Sequence, residues 1–266
     1  MHDPLPDAEE LAATLDGRWA RVAVVDRTAS TNSDLLADAC APDRSVLVAE
    51  HQESGRGRLD RSWVAPPGMG LTFSVLVRPQ VALLRWGWLP LLTGVALYEA
   101  VAAVGGVRVA LKWPNDLLAR AGSDSAGFGK VAGILAQTSG EAVVIGIGLN
   151  VHTGRPDLPV ESATSLALCG AVGLRRGGLL AAILARLDAR YAQWTDVEGD
   201  AEACGLAAAY RDACATVGQV VAVTGTDGSL VRGTAVGIDS TGRLRVDDGS
   251  EILVIGAGDV HHLRPA

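Results

Sequence analysis

Apolar positions along this chain fall into two regimes. Up to about residue 215 they form long runs separated by turn signals, and beyond it only short β-like runs remain. In the first regime, residues 7–16 predict a short helix and 21–25 a strand. Thr31-Asn-Ser-Asp34 places an acid three residues after a hydroxyl, the pattern of a capping box, and opens a short helix through Cys40. Strands are predicted at 46–49 and 71–77. Residues 84–104 are apolar on most faces, which predicts a long buried helix from near Pro90 to Gly105-Gly106. A strand follows at 107–113, and 131–137 pairs with 142–149 as a hairpin turning at Ser139-Gly140. Leu180, Ile183, Leu184, Leu187, Tyr191 and Trp194 recur at helical spacing, and a further helix at 201–215 ends before Gly218. Residues 120–129, rich in Gly, Ser and Ala, read as a mobile, loop-like insertion.

In the second regime the runs 220–224, 230–238, 244–246 and 252–255 are separated by Asp227-Gly228, Thr241-Gly242 and Asp248-Gly249. Such spacing predicts a small barrel or sandwich. The expected domains are therefore 1–215 and 216–266.

Composition narrows the function. With 48% hydrophobic and 20% charged residues in 266, the chain can bury a large core. A net charge of −7 argues against general nucleic-acid binding, which depends on neutralising phosphates. The polar, acidic residues 1–10 do not form a secretory signal, and no apolar run reaches the length of a membrane span, so a cytoplasmic protein is expected. Cys40, Cys169, Cys204 and Cys214 include no C-x-x-C pair, and the histidines lack metal-ligand spacing.

Against this acidic background, residues 52–63 stand out. Arg56, Arg58 and Arg61 are interleaved with Gly55 and Gly57, and Trp63 closes the segment. Glycines allow close backbone approach, and guanidinium groups bind carboxylate and phosphate through paired hydrogen bonds. The segment predicts a loop folding over an anionic, nucleotide-like ligand. Ser30-Thr31-Asn32 lies at a strand-to-helix junction and can bind a small polar group or simply cap a helix. Pro114 ends the strand before Asn115 and Asp116, presenting an amide and a carboxylate or merely building a turn. Lys130 stands at the mouth of an apolar strand, either as a solvated edge charge or facing a reacting carboxylate. Gly133 marks a close approach in that strand, and Gly146 and Gly148 fall on one face of the next, leaving a narrow slot for a flat ring.

Taken in order, Ser30-Thr-Asn32, Gln52 with Gly55-Arg-Gly-Arg58 and Trp63, Lys112-Trp-Pro-Asn-Asp116, Lys130-Val-Ala-Gly-Ile-Leu135 and Gly146-Ile-Gly-Leu-Asn150 resemble the motifs of biotin–protein ligases. The resemblance implies an α+β catalytic domain: a mixed sheet flanked by helices, of the class II aminoacyl-tRNA synthetase/biotin synthetase type. An SH3-like barrel would follow. It implies ATP and Mg²⁺ as co-substrate and ion, biotin as substrate, biotinyl-5′-AMP as intermediate, and a biotin carboxyl carrier protein of an acyl-CoA carboxylase as acceptor. By position, Ser30, Thr31, Asn32 and Gln52 would hold the biotin head group, within a binding set that includes Gly55. Arg56, Gly57 and Arg58 would bind the carboxylate and then the adenylate phosphate. Trp63 would pack beside adenine, and Lys130 would contact the reacting carboxylate. Gly133 and Gly148 would line the ring slot, Asn150 would reach the nucleotide, and Asn115 and Asp116 would organise the metal and reacting groups.

Asp60 departs from the glycine usual in the family, and an acid there is expected to pair with Arg61. The segment between Asp116 and Lys130 is also longer than usual. Residues 1–20 before the first strand leave no room for the DNA-binding domain of some relatives, so a ligase alone is expected. A lipoate or octanoyl transferase of the same fold and a non-catalytic biotin or nucleotide sensor are the rival readings.

Overall fold

The computed structural model describes residues 3–59, 61–104, 106–121 and 127–263. The helices are α1 (Ala8–Thr14), α2 (Thr31–Ala37), α3 (Trp88–Ala102), α4 (Arg176–Thr195) and α5 (Leu206–Ala213). In the first part of the chain the strands are β1 (Arg21–Thr28), β2 (Ser45–Gln52), β3 (Gly55–Arg56), β4 (Ser62–Trp63), β5 (Gly70–Val77), β6 (Val107–Lys112), β7 (Asp116–Ala121), β8 (Gly129–Ser139) and β9 (Ala142–Asn150). Seven of them form one mixed sheet in the order β1-β2-β5-β9-β8-β7-β6, with β1 and β2 parallel and the other neighbours antiparallel.

The central strand β5 shows how the sheet divides the molecule. All eight of its residues are buried, yet its two faces differ. Leu71, Phe73, Val75 and Val77 join Leu92, Val95 and Ala96 of α3 and Leu180, Ile183, Leu184 and Leu187 of α4 in the main core. Each Val, Leu, Ile or Phe side chain among these contributes about 1.5–3 kcal/mol on full burial. α3 is buried on nearly every side, because the sheet lies on one flank and α4 and α5 on others. On the opposite face stand Thr72 and Ser74, and there α2 covers only a small second core of Leu35, Leu47, Leu76 and Val144.

Beyond residue 219, β10 (Val220–Gly225), β11 (Leu230–Ile238), β12 (Leu244–Asp247), β13 (Ile252–Ile255) and β14 (Gly258–His262) form a five-stranded antiparallel sheet ordered β13-β12-β11-β10-β14. Its turn at Thr241-Gly242 is wedged against the start of α3. Trp88 Nε1 donates to Ser240 O at 3.0 Å, and Trp113 Nε1 to Gly242 O at 3.1 Å. Gly242 has φ +87° and no room for a Cβ beside the Gly87 carbonyl, so this contact needs glycine.

Several expectations are corrected. Asp116 does not follow the end of a strand as a free turn: it begins β7, which pairs antiparallel with β6 as a hairpin. Arg120 belongs to that strand rather than to an insertion, and 122–126 lie outside the described residues. α2 is capped by Ser30, whose Oγ accepts from Ser33 N, and stops at Ala37 rather than Cys40. α3 ends at Ala102, short of Gly106, with Gly105 outside the described residues. The helix expected at 201–215 occupies only Leu206–Ala213, and β14 was not foreseen. Among the described residues no helix is long and apolar enough to cross a membrane.

Candidate active site

The open face of the sheet carries a cavity of about 1040 Å³. It lies where β2, β6 and β9 end and β5, β7 and β8 begin. Ser30, Thr31, Asn32, Gln52, Arg56, Gly57, Arg58, Trp63, Asn115, Asp116, Lys130, Gly133, Gly148 and Asn150 all line it. Of the residues selected from sequence, Gly55 alone stays behind the wall. A Cβ there would overlap Gln52 Nε2 and the Trp63 carbonyl, so its absence lets the loop hairpin β3–β4 close.

At one end the cavity is neutral and densely hydrogen-bonded. Gln52 Oε1 accepts from Thr31 N at 3.0 Å and from Thr31 Oγ1 at 3.2 Å. Thr31 Oγ1 and Ser74 Oγ lie 2.6 Å apart, and Ser74 Oγ donates to Asn32 Oδ1, also at 2.6 Å. Asn32 Nδ2 donates to Gln137 Oε1 at 2.7 Å and Leu135 O at 3.2 Å. Thr31, Asn32 and Ser74 are buried, so this network fixes their rotamers, while buried Ser30 is held by its cap bond from Ser33 N. Ser74 and Gln137 were missed by sequence reasoning. Hydroxyls at alternate positions, Thr72 and Ser74, in an otherwise aliphatic strand were the available signal.

The floor is built by register. Gly148 of β9 sits opposite Thr72 of β5 and Gly133 of β8, while Gly146 sits opposite Ser74 and Leu135. A Cβ on Gly146 would overlap Asn32 Oδ1, and one on Gly148 would overlap the Trp63 indole. Gly133 is less tight, with Lys130 Nζ and Trp63 Cζ3 each 3.3 Å from a Cβ position. Trp63 thus lies across the slot, and its Nε1 is buried without a hydrogen-bond partner.

The other end is cationic. Lys130 Nζ approaches Asp116 Oδ1 to 2.6 Å, a charge contact that lacks hydrogen-bond alignment and leaves that buried oxygen without a donor. Asn115 pins the adjoining turn: its Nδ2 donates to Ile134 O at 2.8 Å and its carbonyl accepts from Ile134 N at 2.9 Å. Arg58 Nη1 reaches Asn115 Oδ1 at 3.3 Å. Burial makes the Arg58 cation less favourable than in water, and the Asp116 charge partly offsets this. Arg61 pairs with Asp259 of β14, and Asp60, expected to pair with it, lies outside the described residues. Asn150 spends its amide on Thr164 O at 3.1 Å, holding the segment that also hydrogen-bonds the Lys130 backbone.

A scan against family models matches residues 22–152 to the biotin/lipoate A/B protein ligase family and 216–263 to the biotin protein ligase C-terminal domain. A biotin–[acetyl-CoA-carboxylase] ligase of Mycobacterium tuberculosis is 42% identical over 92% of this chain and 90% of its own length. The chain belongs to the biotin protein ligase family. A bifunctional ligase/repressor BirA of Bacillus spizizenii is 31% identical across 89% of this chain and 71% of its own length. Among solved structures, the Aquifex aeolicus biotin protein ligase in complex with biotin and ATP superposes with a TM-score of 0.74 at 26% identity. That match covers 93% of this chain and 100% of the other. The family's mixed sheet with flanking helices and its C-terminal β module are both present here.

Proposed function

We propose that this chain activates biotin with ATP to biotinyl-5′-AMP and then passes the biotinyl group to a lysine of a biotin carboxyl carrier protein. The observation that carries the reading is one continuous cavity with a neutral, rotamer-locked end, a glycine floor and a cationic end. The division of labour within 1–215 follows from that gradient, with 216–266 as a second domain. Ser30, Thr31, Asn32 and Gln52, with Thr31 and Asn32 held by Ser74 and Gln137, present donors and acceptors to an uncharged cyclic urea. Gly133 and Gly148 floor the slot for the flat ring, which enters as the Trp63 indole, carried on the short β3–β4 hairpin, moves aside. Arg56, Gly57 and Arg58 receive the carboxylate and then the α-phosphate, and Trp63 and Asn150 border the adenine nucleoside.

In the first step a biotin carboxylate oxygen attacks the α-phosphorus, and the bond to the bridging oxygen breaks with its electron pair leaving on pyrophosphate. Two anions must meet, so Arg58 and Lys130 act by offsetting repulsion and stabilising equatorial charge. Lys130 fits this task because its contact with Asp116 is electrostatic and unaligned, leaving its donors available. Asp116 Oδ1, buried and without a donor, fits a Mg²⁺ that arrives with the nucleotide. Such ions commonly take one or two carboxylates and complete their shell with phosphates and water. When bound, the ion neutralises phosphate charge. In the second step the carrier lysine attacks the acyl carbon and AMP leaves.

Cytoplasmic carboxylase carriers are the proposed acceptors. The test is ATP–pyrophosphate exchange followed by transfer to a carrier domain, run with biotin, with lipoate and with neither. Biotin-dependent exchange and transfer are expected. Lipoate-dependent exchange, or biotin binding with no exchange, refutes the assignment.

A further inference from the structure

The arginine loop leaves the sheet at the end of β2 and returns at the start of β5. The ladder between these strands stops at the Ala49–Thr72 pair. Beyond that pair the two stems are joined by Arg176, the first residue of α4, which is fully buried. Val46, Val48 and Glu50 alternate onto the α4 face of β2, so the junction lies on the side away from the cavity. On the outgoing stem, Arg176 Nη2 donates to Glu50 Oε1 at 2.9 Å and Oε2 at 3.1 Å. On the returning stem, Nη1 donates to Gly70 O at 3.1 Å. Nε donates to Asp3 O at 2.9 Å, which ties the N-terminal segment to the same point. The Asp3 carboxylate is itself held by Arg176 N at 2.8 Å and the His152 ring at 3.1 Å. His152 N closes the circuit by donating to Met69 O at 2.7 Å, beside Gly70.

All three guanidinium nitrogens are thus used, on three separate segments. A buried ion pair adds little stability over well-packed aliphatic side chains, and its best-attested use is to fix an arrangement. A rigid planar fork does that, because its donors set the spacing of the groups they hold. Arg176, Glu50 and Asp3 do not line the cavity, but Gln52 and Thr72, each two residues beyond a clamped stem, do. Between the stems hang Arg56, Arg58 and Trp63.

We infer that Arg176 is a positioning residue: with Glu50 it clamps both stems of the arginine loop and sets how often the loop swings off the cavity. This rests on the ligase reading, in which that swing admits biotin past Trp63 and lets biotinyl-5′-AMP escape.

The test compares the unaltered protein with Glu50→Ala, Glu50→Gln and Arg176→Lys. Leu187→Ala, a core truncation on α4, is the control for lost stability alone. Trypsin reads the loop directly in the free protein, because Arg56 and Arg61 are exposed. Nicking between residues 56 and 61 should rise about tenfold in Glu50→Ala, the effect of losing a hydrogen bond to a charged group. Glu50→Gln, which keeps an acceptor, should recover most of it. Arg176→Lys keeps the charge but not the fork, and should nick as Glu50→Ala does. In kinetics, Glu50→Ala should raise KM for biotin and the escape of biotinyl-5′-AMP, trapped with hydroxylamine, and should change kcat little. Nicking no faster than in Leu187→Ala overturns the inference, as does a lower kcat with KM and escape unchanged. If nicking responds as expected but the unaltered protein shows no biotin-dependent exchange, the ligase reading falls and the clamp stands.

Discussion

Alanine substitutions at Gly146, Gly148 and Gly133 should separate the functions of a single glycine-rich floor. The three residues share one sheet face, but what a new methyl would meet differs. At Gly146 it meets Asn32 Oδ1, which cannot retreat without leaving Ser74, Gln137 and Leu135 O. Losing two or three buried hydrogen bonds at about 1 kcal/mol each predicts a cost of about 2–3 kcal/mol. For a chain of this size that is a melting shift of about 2–4 °C per kcal/mol. At Gly148 the methyl meets the Trp63 indole, which is carried on the short β3–β4 hairpin and can move away with it. Ejecting a half-buried ring that makes no hydrogen bond costs less. Replacing a strand glycine also restricts the unfolded chain by about 0.4–1 kcal/mol in the protein's favour. Gly148→Ala should therefore melt within about 1 kcal/mol of the unaltered protein. At Gly133 the nearest atoms are the ends of Lys130 and Trp63 at 3.3 Å, so the effect should be smaller still.

The assay pairs thermal melts with steady-state kinetics of adenylation. Gly146→Ala should lose stability and biotin affinity together. Gly148→Ala should keep its melt but raise KM, because the methyl narrows the slot that ligand and indole both use. The reasoning is refuted if Gly148→Ala melts as low as Gly146→Ala, or if it binds biotin and ATP as before.

Lys130→Ala should lower adenylation about 10²–10³-fold, the range for removing one preorganised charge donor, while the fold survives. Near-normal pyrophosphate release in that variant would sink the role given to Lys130. Arg176, fully buried, is shared between Glu50 at 2.9 Å, Gly70 O at 3.1 Å and the backbone of Asp3. Arg176→Met should destabilise by about 3–5 kcal/mol in urea melts, since it strands the Glu50 carboxylate and leaves the Asp3 and Gly70 carbonyls without their donor; a loss under 1 kcal/mol contradicts this. Asp3 titrates below the usual carboxylate range: burial pushes it up, but the Arg176 amide and the His152 ring outweigh that. Its native value lies below its unfolded one, so its contribution is whole above about pH 4 and vanishes as pH falls through the native value. Asp3→Asn should consequently lose stability at neutral pH, and the gap should close in acid; a gap unchanged between neutral and acid melts would exclude this linkage.

The sequence was most legible where pattern and chemistry agreed locally. The β8–β9 hairpin was readable because its aliphatic runs flank Ser139-Gly140, and α4 because its apolar residues keep helical spacing over 20 residues. β7 was not readable, since Asp116-Leu-Leu-Ala-Arg-Ala has neither alternation nor a β-branched residue. It becomes a strand because β6 and β8 saturate its backbone on both sides. β14, Gly-Asp-Val-His-His, is likewise polar and exists through pairing with β10. The site residues were visible as motifs, yet Ser74 and Gln137 were not. Their role depends on Asn32, 42 and 105 positions away, which no local pattern reveals. The histidines of β14 were set aside for want of metal spacing, although the fold brings both to the cavity wall.

The arginine loop also changes meaning once charge is counted by place rather than by total. A chain of net charge −7 repels a nucleotide on average, so the anion must be captured locally. The sheet achieves this by segregating its faces. Aliphatic residues of β5 and β9 form the core toward α3 and α4, while the alternate positions carry hydroxyls and glycines. Because strand side chains alternate strictly, a slip of one residue between β5 and β9 would bury Thr72 and Ser74 in the core and expose Phe73. Folding energy and site geometry therefore enforce the same register. On the proposed reading, that register also sets the order of the substrate along the cavity. The uncharged ring lies over the Asn32–Ser74 network, and the reacting carboxylate falls where Lys130 and Arg58 converge.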